Sequence, residues 1–277
     1  MTLWALTAQA ASLKIFVSIP PQKYFVQKIG GDLVSVSVLV PAGSDPHTYE
    51  PKPKQMADLS KSAVYFAVGV DFEKVWLKKM AAANPKMRIV HTDNGIRKIV
   101  LTEHDHDNKG NRHSDGSWDP HVWLSPALVK IQAEHIFHTL VEIDPKNQKS
   151  YKTHYARFLG EINALDHELK ALFSGRTGEQ FMVIHPSWGY FANAYGLEQV
   201  PVALEGKEPK PAQIQALIRH AKERGIRTVF VQPQFSSKTA EMLSREIGGQ
   251  IVYADPLAEQ WSKNLLEVAR KISAAAR

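Results

Sequence analysis

The chain has 277 residues, with 34 Lys and Arg against 28 Asp and Glu and a formal net charge of +6, so its length allows one large domain or about two ordinary ones. A hydrophobic content of 44% with 22% charged residues excludes a disordered chain, and no long run of basic residues offers a nucleic-acid footprint. Cysteine is absent, which excludes disulfides, thiolate metal sites and a lipid-modified N-terminal cysteine and leaves any metal to His, Asp or Glu.

Residues 1–11 place Ala8 and Ala10 in an A-x-A pattern after a short apolar stretch and read as the remnant of an export signal. No other segment approaches the ~18 apolar residues of a membrane span. The mature protein is therefore expected to be exported and soluble, without membrane insertion.

Runs rich in β-branched and aromatic residues at 15–19, 36–40, 63–68 and 88–90 read as strands, separated by helical patterns at 21–29, 54–61 and 72–83. Residues 103–116 contain no apolar side chain, so they are expected to form a mobile surface loop. Its His104, His106 and His113 make it a loose secondary metal binder by composition; a merely solvated loop is the alternative.

A helix is predicted over 128–142, stopped by Asp144-Pro145 because the residue before proline avoids helical geometry. A second, over 147–173, carries Phe158, Ile162, Leu165, Leu169 and Leu172 in one apolar stripe. At ~1.5 Å per residue it would span roughly 40 Å, enough to cross between lobes. Strands at 181–184, 199–204, 228–231 and 250–253 then alternate with helices at 187–194, 212–224, 237–246 and 261–274. Strands spaced by helices imply parallel sheets. The expected architecture is α/β: two lobes, each a mainly parallel four-stranded sheet flanked by helices, joined by one long helix. Its boundaries fall at 12–145, 146–174 and 175–277.

His47 in Asp45-Pro46-His47, His185 after the strand at 181–184, and Asp255 after the strand at 250–253 all lie beyond carboxyl ends of strands, where open parallel sheets bind ligands. His121 repeats the Asp-Pro-His pattern at Asp119-Pro120-His121. If both sheets aim those ends at one cleft, three imidazoles and one carboxylate meet there, a set that suits tetrahedral Zn²⁺. The two prolines stiffen the turns that present His47 and His121. Asp45 and Asp119 would orient the imidazoles or cap the following turns.

Spacing alone leaves this open. Asp255 before Pro256 could simply cap a turn, and Glu205 is a rival carboxylate. His135 and His138, along with His154, His167 and His220, read as surface or packing residues.

Four motifs occur in order: Gly43-Ser44-Asp45-Pro46-His47-Thr48-Tyr49-Glu50-Pro51, Trp118-Asp119-Pro120-His121-Val122-Trp123-Leu124-Ser125-Pro126, His185-Pro186-Ser187-Trp188-Gly189-Tyr190-Phe191 and Phe230-Val231-Gln232-Pro233-Gln234-Phe235-Ser236. From about Lys14 to the C-terminus the chain resembles the zinc/manganese-type solute-binding proteins of ABC transporters, the cluster A-I (cluster 9) group, and is most similar to its zinc-binding periplasmic members. The resemblance implies two α/β lobes on one rigid helix, small lobe movements, and a metal held by His47, His121, His185 and Asp255. It also implies a monomer, not an enzyme, that serves a membrane permease and its ATPase.

Manganese carriers of that group usually have Glu at the third ligand position. His185 there favours Zn²⁺ over Mn²⁺ or Fe²⁺. The His-rich loop resembles that of zinc-type members, though shorter, and the missing lipid-anchor cysteine fits a free periplasmic protein. Affinity is expected to fall as pH drops through roughly 6.5, because zinc needs neutral imidazoles. The alternatives are a Mn²⁺ or Fe²⁺ carrier, a surface adhesin, against which the missing anchor argues, and a zinc hydrolase, although H-E-x-x-H is absent.

Overall fold

The computed structural model describes residues 12–100, 118–203 and 209–275. The signal remnant, the loop with His104, His106 and His113, and Glu205 lie outside them.

In the first half, β1 (Leu13–Val17), α1 (Pro20–Gly30), β2 (Val34–Val38), α2 (Pro53–Leu59), β3 (Val64–Ala67), α3 (Asp71–Ala83) and β4 (Arg88–His91) build a parallel sheet of order β2-β1-β3-β4. Two long helices follow, α4 (Pro126–Ile143) and α5 (Gln148–Leu172). The second half contains β5 (Gln180–Val183), α6 (Gly189–Tyr195), β6 (Glu198–Pro201), α7 (Pro211–Arg224), β7 (Thr228–Val231), α8 (Lys238–Glu246), β8 (Gln250–Tyr253) and α9 (Trp261–Ala275). Its parallel sheet has the matching order β6-β5-β7-β8. The expected two-lobed α/β architecture is therefore observed. Every residue of β3 and of β7 is buried, because a parallel sheet covered by helices hides both faces.

Strand limits differ from the sequence pattern by a residue or two. β1 and β2 begin two residues earlier than their hydrophobic runs, paired in register from Leu13↔Val34 to Val17↔Val38. β6 stops at Pro201, an edge-strand position that tolerates the missing N–H. The helix expected from residue 187 starts at Gly189, since residues 185–188 form a tight turn in which the Ser187 N–H donates to the His185 carbonyl at 2.9 Å.

The α4–α5 corner is pinned by Asp144, whose Oδ2 accepts from Asn147 Nδ2 at 2.6 Å and from the Tyr151 hydroxyl at 2.7 Å. With 25 residues, α5 is roughly 37 Å long at ~1.5 Å per residue. Phe158, Ile162, Leu165 and Leu169 of the predicted stripe are buried, while Leu172 is half-buried. They pack α5 against α1, α4 and α9. Phe158 lies 5.9 Å from the Phe25 ring on α1, and Phe25 in turn meets Trp261 on α9 edge to face at 5.2 Å. One contiguous hydrophobic core thus runs through both lobes, with a smaller one confined to the second.

The lobes are consequently coupled through packed side chains as well as through a backbone helix, and such packing resists continuous deformation. Leu169→Ala, at a fully buried position, is expected to destabilise the protein by about 2–5 kcal/mol through lost transfer energy and a residual cavity. Denaturant unfolding would measure this. A loss below about 1 kcal/mol would show that the α5 stripe does not hold the core.

Candidate metal centre

Both sheets share one topology, in which the strand order reverses between β1 and β3 and between β5 and β7. Ligand crevices form outside the carboxyl ends of strands at such switch points. His47 lies in the loop after β2, His185 just past β5, and His121 just before a buried 3₁₀ turn, Val122–Leu124. Each of the three imidazoles offers a ligand nitrogen, and these atoms all lie within 4.8 Å of one another. This is the one such grouping of metal-ligating side chains among the described residues.

The His47 loop is shaped by Asp45, whose Oδ1 accepts the His47 backbone N–H at 2.9 Å and whose Oδ2 accepts from Thr48 Oγ1 at 3.3 Å. The His47 ring has a different partner: Nδ1 lies 2.6 Å from Asp71 Oδ2. At the second motif Asp119 does both jobs, because its Oδ1 accepts the His121 backbone N–H at 2.9 Å and faces ring Nδ1 at 2.7 Å. An ionised carboxylate only accepts hydrogen bonds, so Nδ1 is the donor in both rings and each neutral ring leaves Nε2 free to bind metal.

His47 Nε2 lies 3.2 Å from His185 Nε2. Two nitrogens on one tetrahedral Zn²⁺, each about 2.0–2.1 Å from it, stand roughly 3.3 Å apart. The spacing therefore fits a pair of zinc ligands. The three rings enclose a cavity of about 10 Å³ that Gln232, Gln234 and Phe235 also line. That volume is on the scale of a single ion or water.

The electrostatics of the three rings are unequal. Burial pulls the His185 imidazole far below the usual value, reinforced by the neighbouring His121 and His47. It stays neutral. Burial also opposes the charged form of His47, but the hydrogen bond to Asp71 and the charges of Asp45, Asp71 and Asp119 outweigh it and raise its pKa. The His47 hydrogen bond holds Asp71 well below the ordinary carboxylate range, against burial, with help from Lys74 Nζ at 2.6 Å.

Asp71 opens α3, and the turn that presents it is fixed from inside the lobe. Glu73 accepts the backbone N–H of Val68 at 3.0 Å and of Gly69 at 2.8 Å, together with the Ser18 hydroxyl. Burial pushes the Glu73 carboxyl up to about 7 despite those donors. Gly69 adopts φ +87°, and a Cβ there would lie 2.5 Å from Lys98 Nζ and 2.6 Å from Asp93 Oδ2. Only glycine fits that turn.

Asp255 is not in the grouping whose ligand atoms all lie within 4.8 Å of one another. Its Oδ1 accepts the Leu257 backbone N–H at 2.9 Å and the Gln234 amide Nε2 at 2.9 Å, so it caps the turn past β8. The reason is topological. β8 pairs with β7, and β7 with β5, which sets Asp255 one strand beyond the segment after β7, at about 4.8 Å per strand. Asp71 and Gln234 were not legible in the sequence as site residues. The available signals were that each follows a strand, β3 or β7, at the carboxyl end, and that Gln234 lies within the fourth motif.

The remaining histidines lie elsewhere. His135 Nε2 meets the Asn94 carbonyl at 3.0 Å, His154 Nδ1 the Ile29 carbonyl at 3.2 Å, and His220 Nε2 the Gln180 side chain at 2.9 Å. His138 lies 3.7 Å from Glu134, and His167 is exposed.

The family described as the periplasmic zinc-uptake complex component A, ZnuA, matches residues 15–275. The chain is 28% identical over 246 residues to the high-affinity zinc uptake system protein ZnuA of Bacillus subtilis (strain 168), covering 86% of this chain and 76% of that protein. It is 27% identical over 260 residues to the zinc-binding protein AdcA of Streptococcus pyogenes serotype M3, of which it spans half the length. A crystal structure of ZnuA superposes with a TM-score of 0.89 at 44% identity, covering 96% of this chain and all of that one. A zinc-bound ZnuA deletion mutant matches at 0.88 and 45% identity, covering 96% and 98%.

Proposed function

The chain belongs to the ZnuA family of periplasmic zinc-uptake components, and from that premise we propose that it captures one Zn²⁺ between its lobes and delivers it to an ABC-type membrane importer. The observation that carries the proposal is the convergence of His47, His121 and His185. These imidazoles are the nitrogen ligands, with Asp71 and Asp119 holding two of the rings in the metal-binding tautomer. The ion sits between an N-terminal lobe at 12–145 and a C-terminal lobe at 175–277, with 146–174 as the linking helix.

The protein acts as a carrier, not an enzyme. Its partners are a permease and the associated ATPase, and it works as a soluble periplasmic monomer; no helix among the described residues is long and apolar enough to cross a membrane. Three imidazoles favour Zn²⁺ over Mn²⁺, which prefers oxygen donors.

Thermal melting with each metal tests this. Zinc at 100 times its Kd is expected to add about 2.7 kcal/mol of stability, while the same concentration of Mn²⁺ leaves Tm unchanged. An equal shift with manganese would overturn the zinc assignment, and no shift with either would overturn the carrier.

A further inference from the structure

We propose that Tyr190, Trp123 and Trp261 are positioning residues that clasp the His121 turn to the second lobe and so slow the release of zinc. This inference rests on the zinc reading above and concerns what supports the turn, not which groups bind the ion.

Residues 119–123 are tied at both ends to the other half of the chain. At the start, the Tyr190 hydroxyl on α6 donates to the Asp119 carbonyl at 2.9 Å and accepts the Ile99 backbone N–H at 3.1 Å. At the end, Trp123 Nε1 donates to the Pro256 carbonyl at 2.7 Å, and Trp261 Nε1 on α9 donates to the Trp123 carbonyl at 2.7 Å. His121 stands midway between these anchors, its ring 5.2 Å from that of Trp123. The Pro256 acceptor is itself fixed, because Asn264 on α9 donates to the adjoining Asp255 carbonyl at 2.7 Å.

Solvent does not reach this clasp. Trp123 is fully buried, and Tyr190 and Trp261 are 4% and 2% exposed. A buried donor or acceptor that loses its partner costs more than the bond it made was worth, and an indole N–H can only donate. Parting His121 from His185 along the boundary between the lobes strains all of these bonds at once, so the clasp opposes the separation that frees the ion. None of the three side chains lines the cavity; they act through the turn that carries His121 and Asp119.

His47 is supported differently, since its ring partner Asp71 belongs to its own lobe. Tyr24 supplies the comparison. Its hydroxyl also bonds across the lobes, with Oη 2.9 Å from Ser262 Oγ, but from α1 and not from the His121 turn.

Stopped-flow mixing of the zinc-loaded protein with a chromogenic chelator measures release, and mixing of the metal-free protein with zinc measures capture. Tyr190→Phe and Trp261→Phe each remove one donor and leave the three imidazoles and residues 118–126 untouched. Each is expected to release zinc roughly 3- to 10-fold faster, the effect of one net hydrogen bond, with capture at the wild-type rate. Tyr24→Phe deletes a hydroxyl of the same kind and should release zinc like the wild type. Metal-free melts verify folding, and should one clasp variant fail to fold, the other carries the test.

Release at the wild-type rate from either folded clasp variant would overturn the proposal. So would an equal acceleration in Tyr24→Phe, because any loosened contact between the lobes would then do the same. In both cases a wild type that binds zinc leaves the carrier function standing. A wild type that binds none removes both.

Discussion

Replacing His185 by alanine is expected to lower zinc affinity by roughly 100- to 1000-fold. Structural zinc sites bind with about 10–16 kcal/mol, so each of four ligands carries about 3 kcal/mol, and every 1.4 kcal/mol is tenfold. His185 suits this test because burial disfavours its charged form. Burial and two neighbouring imidazoles pull its pKa well below the ordinary imidazole value. Its nitrogen stands 3.2 Å from that of His47, and removing it breaks the pair that straddles the lobes.

Titration against a competing chelator measures the loss. His135→Ala serves as the control, since that ring bonds a backbone carbonyl away from the centre and its variant should bind like wild type. An affinity for His185→Ala within a few-fold of wild type would remove this residue from the site.

The second large effect is on pH. Zinc must displace the proton on His47, and Asp71 raises the pKa of that ring above its ordinary 6.5. Affinity should therefore begin to fall above pH 6.5 as pH drops, earlier than an unperturbed histidine implies. Burial moves the His185 pKa the opposite way, below the ordinary value.

The signs for stability run the other way. The charged His47–Asp71 pair stabilises the metal-free fold fully below the unfolded histidine value and is lost as pH rises through the raised one. The carboxyl of Asp71, depressed in the fold, contributes above the unfolded carboxylate value of about 4 and loses that only in stronger acid. It remains ionised throughout the zinc titration.

Zinc affinity measured from about pH 5.5 to 8 should fall as pH drops, starting above 6.5. Asp71→Asn should move the midpoint down and weaken binding at neutral pH by about 10- to 100-fold. A wild-type midpoint at or below 6.5, or an Asp71→Asn variant with the same midpoint, would contradict this account.

Much of this molecule was legible without coordinates. Hydrophobic periodicity located the strands and the apolar stripe of α5, because burial on one face imposes a period on the residues themselves. The repeated Asp-Pro-His at His47 and His121, and the placement of His185 just past a strand, marked all three imidazoles that converge. Those signals are local, and each is written within a few consecutive residues.

What local pattern could not specify was which strand lies beside which. The two Asp-Pro-His motifs look equivalent, yet Asp119 reaches its own histidine ring while Asp45 holds the His47 backbone N–H and the Thr48 hydroxyl. The ring of His47 turns instead to Asp71, 24 residues onward, because the turn after β3 comes to lie beside the loop after β2. Asp255 follows a strand as plainly as His185 does, but β8 is one place further out in the sheet, and Gln234 in the loop after β7 donates to Asp255. The composition and order of the residues thus determined the elements and the imidazole donors. Strand order, a property of long-range pairing with no imprint on adjacent residues, decided which polar groups surround them.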